Sequence, residues 1–113
     1  MSTISTHVLD TARGVPAGGV PLTLSWLEPD GTVRELARGT TNADGRVLDL
    51  LAPGSLRRGR YRLTFEVEAY FAASGRASFY PLIEVVFEIS AEYEHHHIPL
   101  LLSPYGYSTY RGS

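Results

Sequence analysis

The feature that most constrains the fold is a series of short runs in which apolar and polar residues alternate, separated by turn signals. Apolar residues take every second position in three runs: Leu22, Leu24 and Trp26; Tyr61, Leu63, Phe65 and Val67; and Ile83, Val85, Phe87 and Ile89. Turn-forming sequences lie at 29–31 (PDG), 42–45 (NADG), 53–54 (PG), 58–59 (RG) and 103–106 (SPYG). Period-two alternation is typical of half-buried strands. Regularly spaced short strands predict an all-β fold, an antiparallel β-sandwich.

Further segments extend this prediction. Residues 4–9, 33–37 and 97–102 are candidate strands with the same alternation. Residues 68–74 (EAYFAAS) are different, because they are rich in helix-compatible residues and are followed by Gly75 at a position suited to a C-cap. We therefore expect one short helix near residues 68–75.

Length and composition exclude several classes of protein. A chain of 113 residues that is 43% hydrophobic and 19% charged predicts a single globular domain, residues 1–113, with one packed core. The net charge of -2 argues against a nucleic-acid partner. The absence of cysteine excludes thiolate chemistry. Because we find no signal-peptide pattern and no run of ~18 apolar residues, we expect a cytoplasmic protein with no membrane partner.

Three consecutive histidines, His95, His96 and His97, suggest two interpretations. In a strand, residues 95 and 97 share one face, so His95 and His97 could be neighbouring metal ligands, with Glu92 or Glu94 as a third. The alternative is a polar strand end with solvated imidazoles at His95 and His96. The metal signal is weak, and we predict neither a metal nor a cofactor.

Two segments of the chain resemble the 5-hydroxyisourate hydrolases, a transthyretin-related family. They are residues 5–14 (STHVLDTARG) and 99–113 (PLLLSPYGYSTYRGS), and the resemblance spans nearly the whole chain. The ending 110–113 (YRGS) is its most specific part, since transthyretin proper, a hormone carrier, lacks it. The resemblance implies a transthyretin-like two-sheet sandwich of about eight strands with one short helix. It also implies a homotetramer with sites in a channel between dimers.

The resemblance also implies the site residues. The implied catalytic residues are His7, Arg46, His97 and Ser113, and the implied substrate-binding residues are His7, Arg46, Tyr110, Arg111 and Gly112. The implied reaction is hydrolysis of 5-hydroxyisourate, a small oxidised purine, to 2-oxo-4-hydroxy-4-carboxy-5-ureidoimidazoline in urate degradation.

The residue types suit that chemistry, in which water adds to a ring carbonyl. A neutral imidazole can take a proton from water near pH 7, so either His7 or His97 is a candidate general base. A guanidinium at Arg46 can stabilise the charge that develops on the carbonyl oxygen. The hydroxyl of Ser113 can orient the water, and the segment around Tyr110 can hold the ring.

Two other functions remain open. A transthyretin-like module that binds a small ligand without turnover would carry apolar or small residues at positions 7, 46 and 97. A structural sandwich domain would not depend on its last four residues. The apolar run 98–102 (IPLLL) bears on assembly, because alternate residues can fill the core and leave Pro99 and Leu101 to be covered by a partner subunit.

Overall fold

A computed structural model describes residues 3–112 of the chain. Within that range it contains nine strands and one helix: β1 (Ile4–Asp10), β2 (Val15–Pro16), β3 (Pro21–Leu27), β4 (Val33–Thr40), β5 (Arg46–Val47), β6 (Gly59–Phe65), α1 (Val67–Ala73), β7 (Ile83–Ile89), β8 (His96–Ser103) and β9 (Gly106–Thr109). The predicted all-β sandwich with one short helix is confirmed. The count exceeds the expected eight because β2 and β5 are two-residue strands.

The strands form two sheets. In sheet A the order is β2-β1-β8-β9, with β5 also paired to β1, and in sheet B it is β4-β3-β6-β7. One pairing differs from the antiparallel expectation, since β1 and β8 run parallel from Ile4 opposite His96 to Asp10 opposite Leu102. Alternation of apolar residues shows which face a strand buries but not the direction of its neighbour, so the sequence pattern could not reveal this pairing.

The two sheets share one apolar core, and that core decides which side chains of β1 and β8 face outward. Ile4 and Val8 on β1 and Leu100 and Leu102 on β8 are fully buried against sheet B. Burial of each such side chain is worth about 1.5–3 kcal/mol. Because side chains alternate along a strand, the intervening residues of β1 and β8 lie on the outer face of sheet A.

Helix α1 covers one end of the core. Its buried residues are Val67 and Phe71. The C-cap residue is Ser74, one residue earlier than expected, and Gly75 follows it with a φ of +70°, a left-handed conformation that glycine adopts without strain. Among residues 3–112, no helix is long and apolar enough to cross a lipid bilayer.

A buried ion pair ties the end of β1 to the helix. Asp10 is fully buried, its carboxylate accepts hydrogen bonds from Arg76 at 2.7 Å and from the hydroxyl of Tyr70 at 2.8 Å, and the backbone N–H of Arg13 donates to it at 3.1 Å. Burial on its own raises the pKa of Asp10, but the hydrogen bonds from Arg76 and Tyr70 outweigh it, and the pKa lies below its ordinary value.

We expect Asp10→Ala to destabilise the fold by about 2–4 kcal/mol, because it leaves Arg76 and Tyr70 without their shared acceptor. Since the pKa of Asp10 is lower in the folded chain, this stabilisation is fully present above the unfolded pKa of about 3.9 and is lost as the pH falls through the folded value. Urea unfolding of both proteins at pH 7 and at pH 3 measures the difference.

The matched control is Arg38→Ala, which removes the exposed pair between Arg38 and Glu35 in sheet B. Exposed pairs contribute about 0–1 kcal/mol, so this variant should unfold close to the wild-type midpoint. Equal destabilisation by the two variants, or an Asp10 effect that does not shrink in acid, would contradict the role given to Asp10.

Candidate active site

The outer face of sheet A brings the predicted histidines together. On β1 the residues between the buried positions are Ser5, His7 and Leu9, and on β8 they include His97. The parallel register sets Ser5 directly opposite His97, and His7 opposite Pro99, one step further along the pair of strands. His7 and His97 are therefore diagonal neighbours on one face.

Arg46 reaches the same face through a turn and a two-residue strand. In the pairing of β5 with β1, Arg46 lies opposite His7, so their side chains project from the same side of the sheet. The side-chain oxygen of Asn42 accepts a hydrogen bond from the backbone N–H of Arg46 at 3.0 Å. Gly45 has a φ of +75°, and a Cβ there would lie 2.4 Å from the carbonyl oxygen of Val8. A glycine is thus required where this turn meets β1.

The imidazole of His97 is held along two of its edges. Its Nδ1 lies 2.8 Å from the hydroxyl oxygen of Ser5. Its Cδ2 edge contacts Gly112, where an added Cβ would lie 2.7 Å from Cδ2, and the N–H of Gly112 donates to the carbonyl oxygen of His97 at 2.9 Å. With these two edges occupied, Nε2 is the ring nitrogen left for a ligand.

The charges around His97 favour its neutral form. Burial lowers its pKa below the ordinary value, and charge repulsion from Arg46, with smaller contributions from His7 and His95, lowers it further. A ring with a lowered pKa is unprotonated at neutral pH and can accept a proton. The arrangement therefore offers a neutral base and a permanently charged guanidinium on one face, which is a combination suited to adding water to a carbonyl group.

The other two histidines of the run differ from each other. His95 shares the face of His97, as alternation predicts, and its Nε2 also lies 2.8 Å from the hydroxyl oxygen of Ser5. His96 is buried and its Nδ1 donates to the carbonyl oxygen of Glu94 at 3.0 Å, so the expectation of a solvated imidazole at His96 was wrong. Between residues 3 and 112, no group of three side chains suited to holding a metal ion is found.

The predicted residues of the chain end are only partly brought to His97. Gly112 contacts its ring, as described. The guanidinium of Arg111 lies instead 3.2 Å from the carboxylate of Glu94. Tyr110 is 58% exposed, and with Arg111 and residues 96–98, which include His97, it lines a cleft of about 250 Å³ beside β7. Ser113 lies outside the described residues.

Two further residues depart from the sequence-based expectation. Pro99, expected to need a partner subunit for cover, is already buried within the chain, whereas Leu101 is half-buried. Ser5 was not predicted as a site residue, although its hydroxyl contacts two imidazoles. Its position two residues before His7 shows that it shares the face of His7, but the parallel register that sets it beside His97 has no signal in the sequence.

The chain is similar in sequence and in structure to 5-hydroxyisourate hydrolases and to transthyretin. A family model described as the HIUase/Transthyretin family matches residues 4–112. A Mus musculus protein named 5-hydroxyisourate hydrolase is 51% identical over 99% of this chain and 96% of its own length. The structure of Klebsiella pneumoniae 5-hydroxyisourate hydrolase is 44% identical, with a TM-score of 0.85 over 100% of this chain and 94% of that one. Sea bream transthyretin in complex with thyroxine is 34% identical, with a TM-score of 0.91 over 96% and 93%.

We expect Arg46→Gln to raise the pKa of His97, because the substitution removes a positive charge that disfavours the protonated ring. An NMR titration that follows the ring C–H signals of His97 measures the change. Arg38→Gln in sheet B is the control and should leave the titration midpoint of His97 where it is. A His97 midpoint that stays constant or falls in Arg46→Gln would show that the guanidinium does not act on this imidazole.

Proposed function

The chain belongs to the HIUase/Transthyretin family, and on that premise we propose that it is a hydrolase that converts 5-hydroxyisourate to 2-oxo-4-hydroxy-4-carboxy-5-ureidoimidazoline. Relatives named 5-hydroxyisourate hydrolase, 51% and 44% identical over almost the full chain, support the substrate. The observation that carries the proposal is the convergence of His7, Arg46 and His97 on one face of sheet A.

In the proposed mechanism His97 is the general base. Its Nε2 takes a proton from water while the water oxygen bonds to a ring carbonyl carbon. The bond from that carbon to the ring nitrogen then breaks, and the proton passes from His97 to the departing nitrogen. A positioned base of this kind contributes about 10²–10⁴-fold to the rate. The lowered pKa of His97 supports this assignment, since the ring is unprotonated at neutral pH.

Arg46 and His7 stabilise the oxygen-rich substrate. Negative charge develops on the carbonyl oxygen during attack, and the guanidinium of Arg46 offers several N–H donors to it without any change of its own charge. We assign to His7, opposite Arg46 in the strand register, a hydrogen bond to a neighbouring substrate oxygen. We assign substrate contacts also to Tyr110, Arg111 and Gly112, and the orientation of the water to Ser113. No metal or cofactor takes part in this mechanism.

Binding without turnover is the alternative function. The TM-score to sea bream transthyretin bound to thyroxine, 0.91, is as high as that to the Klebsiella pneumoniae hydrolase, 0.85, so the fold does not separate the two. The chemistry of the outer face favours hydrolysis, because a site for an apolar ligand has no need of two imidazoles and a guanidinium. Turnover of 5-hydroxyisourate decides between them.

We further propose a homotetramer with the sites in a channel between dimers. The outer face of sheet A, which carries the site, is an open surface in one subunit. The strands β7 and β9 end the two sheets and lack a partner along their outer edges within the described range, and exposed edges favour pairing with another chain. Large exposed side chains near these edges include Val86, Tyr107 and Tyr110.

The test of function is an assay with freshly generated 5-hydroxyisourate, followed by its ultraviolet absorbance against the spontaneous rate. We expect the wild-type protein to accelerate the decay, with a rate that falls in acid as His97 becomes protonated, at a midpoint below the ordinary histidine value. His97→Asn should lose about 10²-fold or more. A wild-type rate equal to that of buffer would refute the proposal.

A pair of glycine variants controls for nonspecific damage in that assay. In Gly112→Ala the new Cβ lies 2.7 Å from Cδ2 of His97, so the ring must shift and activity should fall at least tenfold, or about 1.4 kcal/mol. In Gly106→Ala the nearest atom lies at 3.6 Å, an ordinary contact, and activity should persist.

Sedimentation tests the assembly. We expect the protein at micromolar concentration to sediment as a tetramer, about four times the 12.4 kDa chain. A charge on an edge strand, introduced by Val86→Glu, should lower the oligomeric state, because charged residues on an edge oppose pairing between chains. A wild-type monomer that retains full activity would contradict both the tetramer and the channel.

A further inference from the structure

We propose that Ser5 is a positioning residue that holds His97 in the tautomer with a free Nε2, and that His95 accepts the hydrogen bond that makes this possible. The inference rests on the proposed function, in which Nε2 of His97 takes the proton of water. It extends the site by two side chains that do not themselves touch the substrate.

The geometry places Ser5 between the two rings. Its side chain is 3% exposed, and its hydroxyl oxygen lies 2.8 Å from Nδ1 of His97 and 2.8 Å from Nε2 of His95. The arrangement is anchored on both sides, since Ser5 faces His97 in the β1–β8 register and the N–H of His96 donates to the carbonyl oxygen of Thr3 at 3.0 Å. The backbone on both sides of Ser5 is therefore held in place, which keeps its hydroxyl beside these two rings.

The hydroxyl carries one proton, so it can donate to only one of the two rings. If it donates to His97, then Nδ1 of His97 is an acceptor, the proton of that neutral ring sits on Nε2, and His97 cannot act as a base. If it donates to His95, then Nδ1–H of His97 donates to Ser5 and the lone pair of Nε2 is free. An acceptor nitrogen on His95 therefore favours the arrangement in which Nε2 of His97 is free.

Two features favour the second arrangement. Arg46 presents N–H donors and no acceptor to the site, so its guanidinium offers no partner to an N–H at Nε2 of His97. His95 is exposed and lines a groove of about 560 Å³ with Ser5 and residues 48–53. Its own ring proton can sit on Nδ1 and be solvated there.

Within residues 3–112, three groups lower the pKa of His97 by their charge: Arg46 on β5, His7 on β1 and His95 beside the start of β8. A carboxylate would hold Nδ1–H in place by charge, but none of these three groups is a carboxylate. The hydroxyl of Ser5 performs that role without favouring the protonated ring.

The test reads the tautomer directly. In protein labelled with ¹⁵N-histidine, long-range ¹H–¹⁵N NMR spectra at pH 7.5 should show Nδ1 of His97 protonated and Nε2 unprotonated. In His95→Ala the Ser5 hydroxyl loses its acceptor and can donate to Nδ1 of His97, so the protonated nitrogen should become Nε2. His95 is exposed, so this variant should fold even if Ser5→Ala does not.

Kinetics provide the second readout. We expect Ser5→Ala to lower kcat about tenfold with KM within twofold, because a fraction of the rings then present the wrong nitrogen, and we expect Ser5→Thr to restore most of the rate because it keeps the hydroxyl. Ser25→Ala is the matched control, since Ser25 is 4% exposed but lies in sheet B, and it should change neither the spectrum of His97 nor kcat.

Two NMR results would overturn the proposal: an Nε2–H tautomer of His97 in the wild-type protein, or a tautomer of His97 that is unchanged in His95→Ala. A kinetic result would overturn it too, namely a loss of kcat in Ser5→Thr equal to that in Ser5→Ala. The NMR result does not depend on turnover. A wild-type protein with the expected tautomer but no hydrolysis would refute the proposed function and leave the positioning of His97 by Ser5 intact.

Discussion

The parallel pairing of β1 with β8 is the interaction on which the geometry of the site depends. It sets Ser5 opposite His97, and the pairing of β5 with the same strand β1 sets Arg46 opposite His7. The pairing is reinforced where it is buried, since the hydroxyl of Thr6 donates to the carbonyl oxygen of Ile98 at 2.6 Å. A slip of one residue would turn His7 into the core and Val8 to the surface, so the buried apolar residues and the site share a single register.

The sequence predicts much of this fold because alternation is a local property. The longer strands of both sheets follow from it, and it also places His95 and His97 on one face. The helix follows from another local property, the helix-compatible composition before Gly75. The direction of β8 relative to β1 is not local, because the two strands are joined through most of the chain. That is why Ser5 was missed, and why the ion pair of Arg111 with Glu94 could not be foreseen.

The site also shows how one fold serves different functions. Sea bream transthyretin and the Klebsiella pneumoniae hydrolase both superimpose on this chain over nearly its full length. What distinguishes a catalytic face is the electrostatic environment of a few side chains. Here burial and the charge of Arg46 favour the neutral form of His97, and in the proposed function that form acts as the base while the positive charge attracts an electron-rich substrate.

The central claim is that the substrate binds on the outer face of sheet A, against His7, Arg46 and His97. A crystal structure with urate, a planar and oxygen-rich purine that this reaction cannot open, tests it most directly. We expect carbonyl oxygens of urate within hydrogen-bond distance of the Arg46 guanidinium and an edge of the purine beside Nε2 of His97. Urate bound instead in the groove lined by residues 48–53, with the outer face empty, would contradict it.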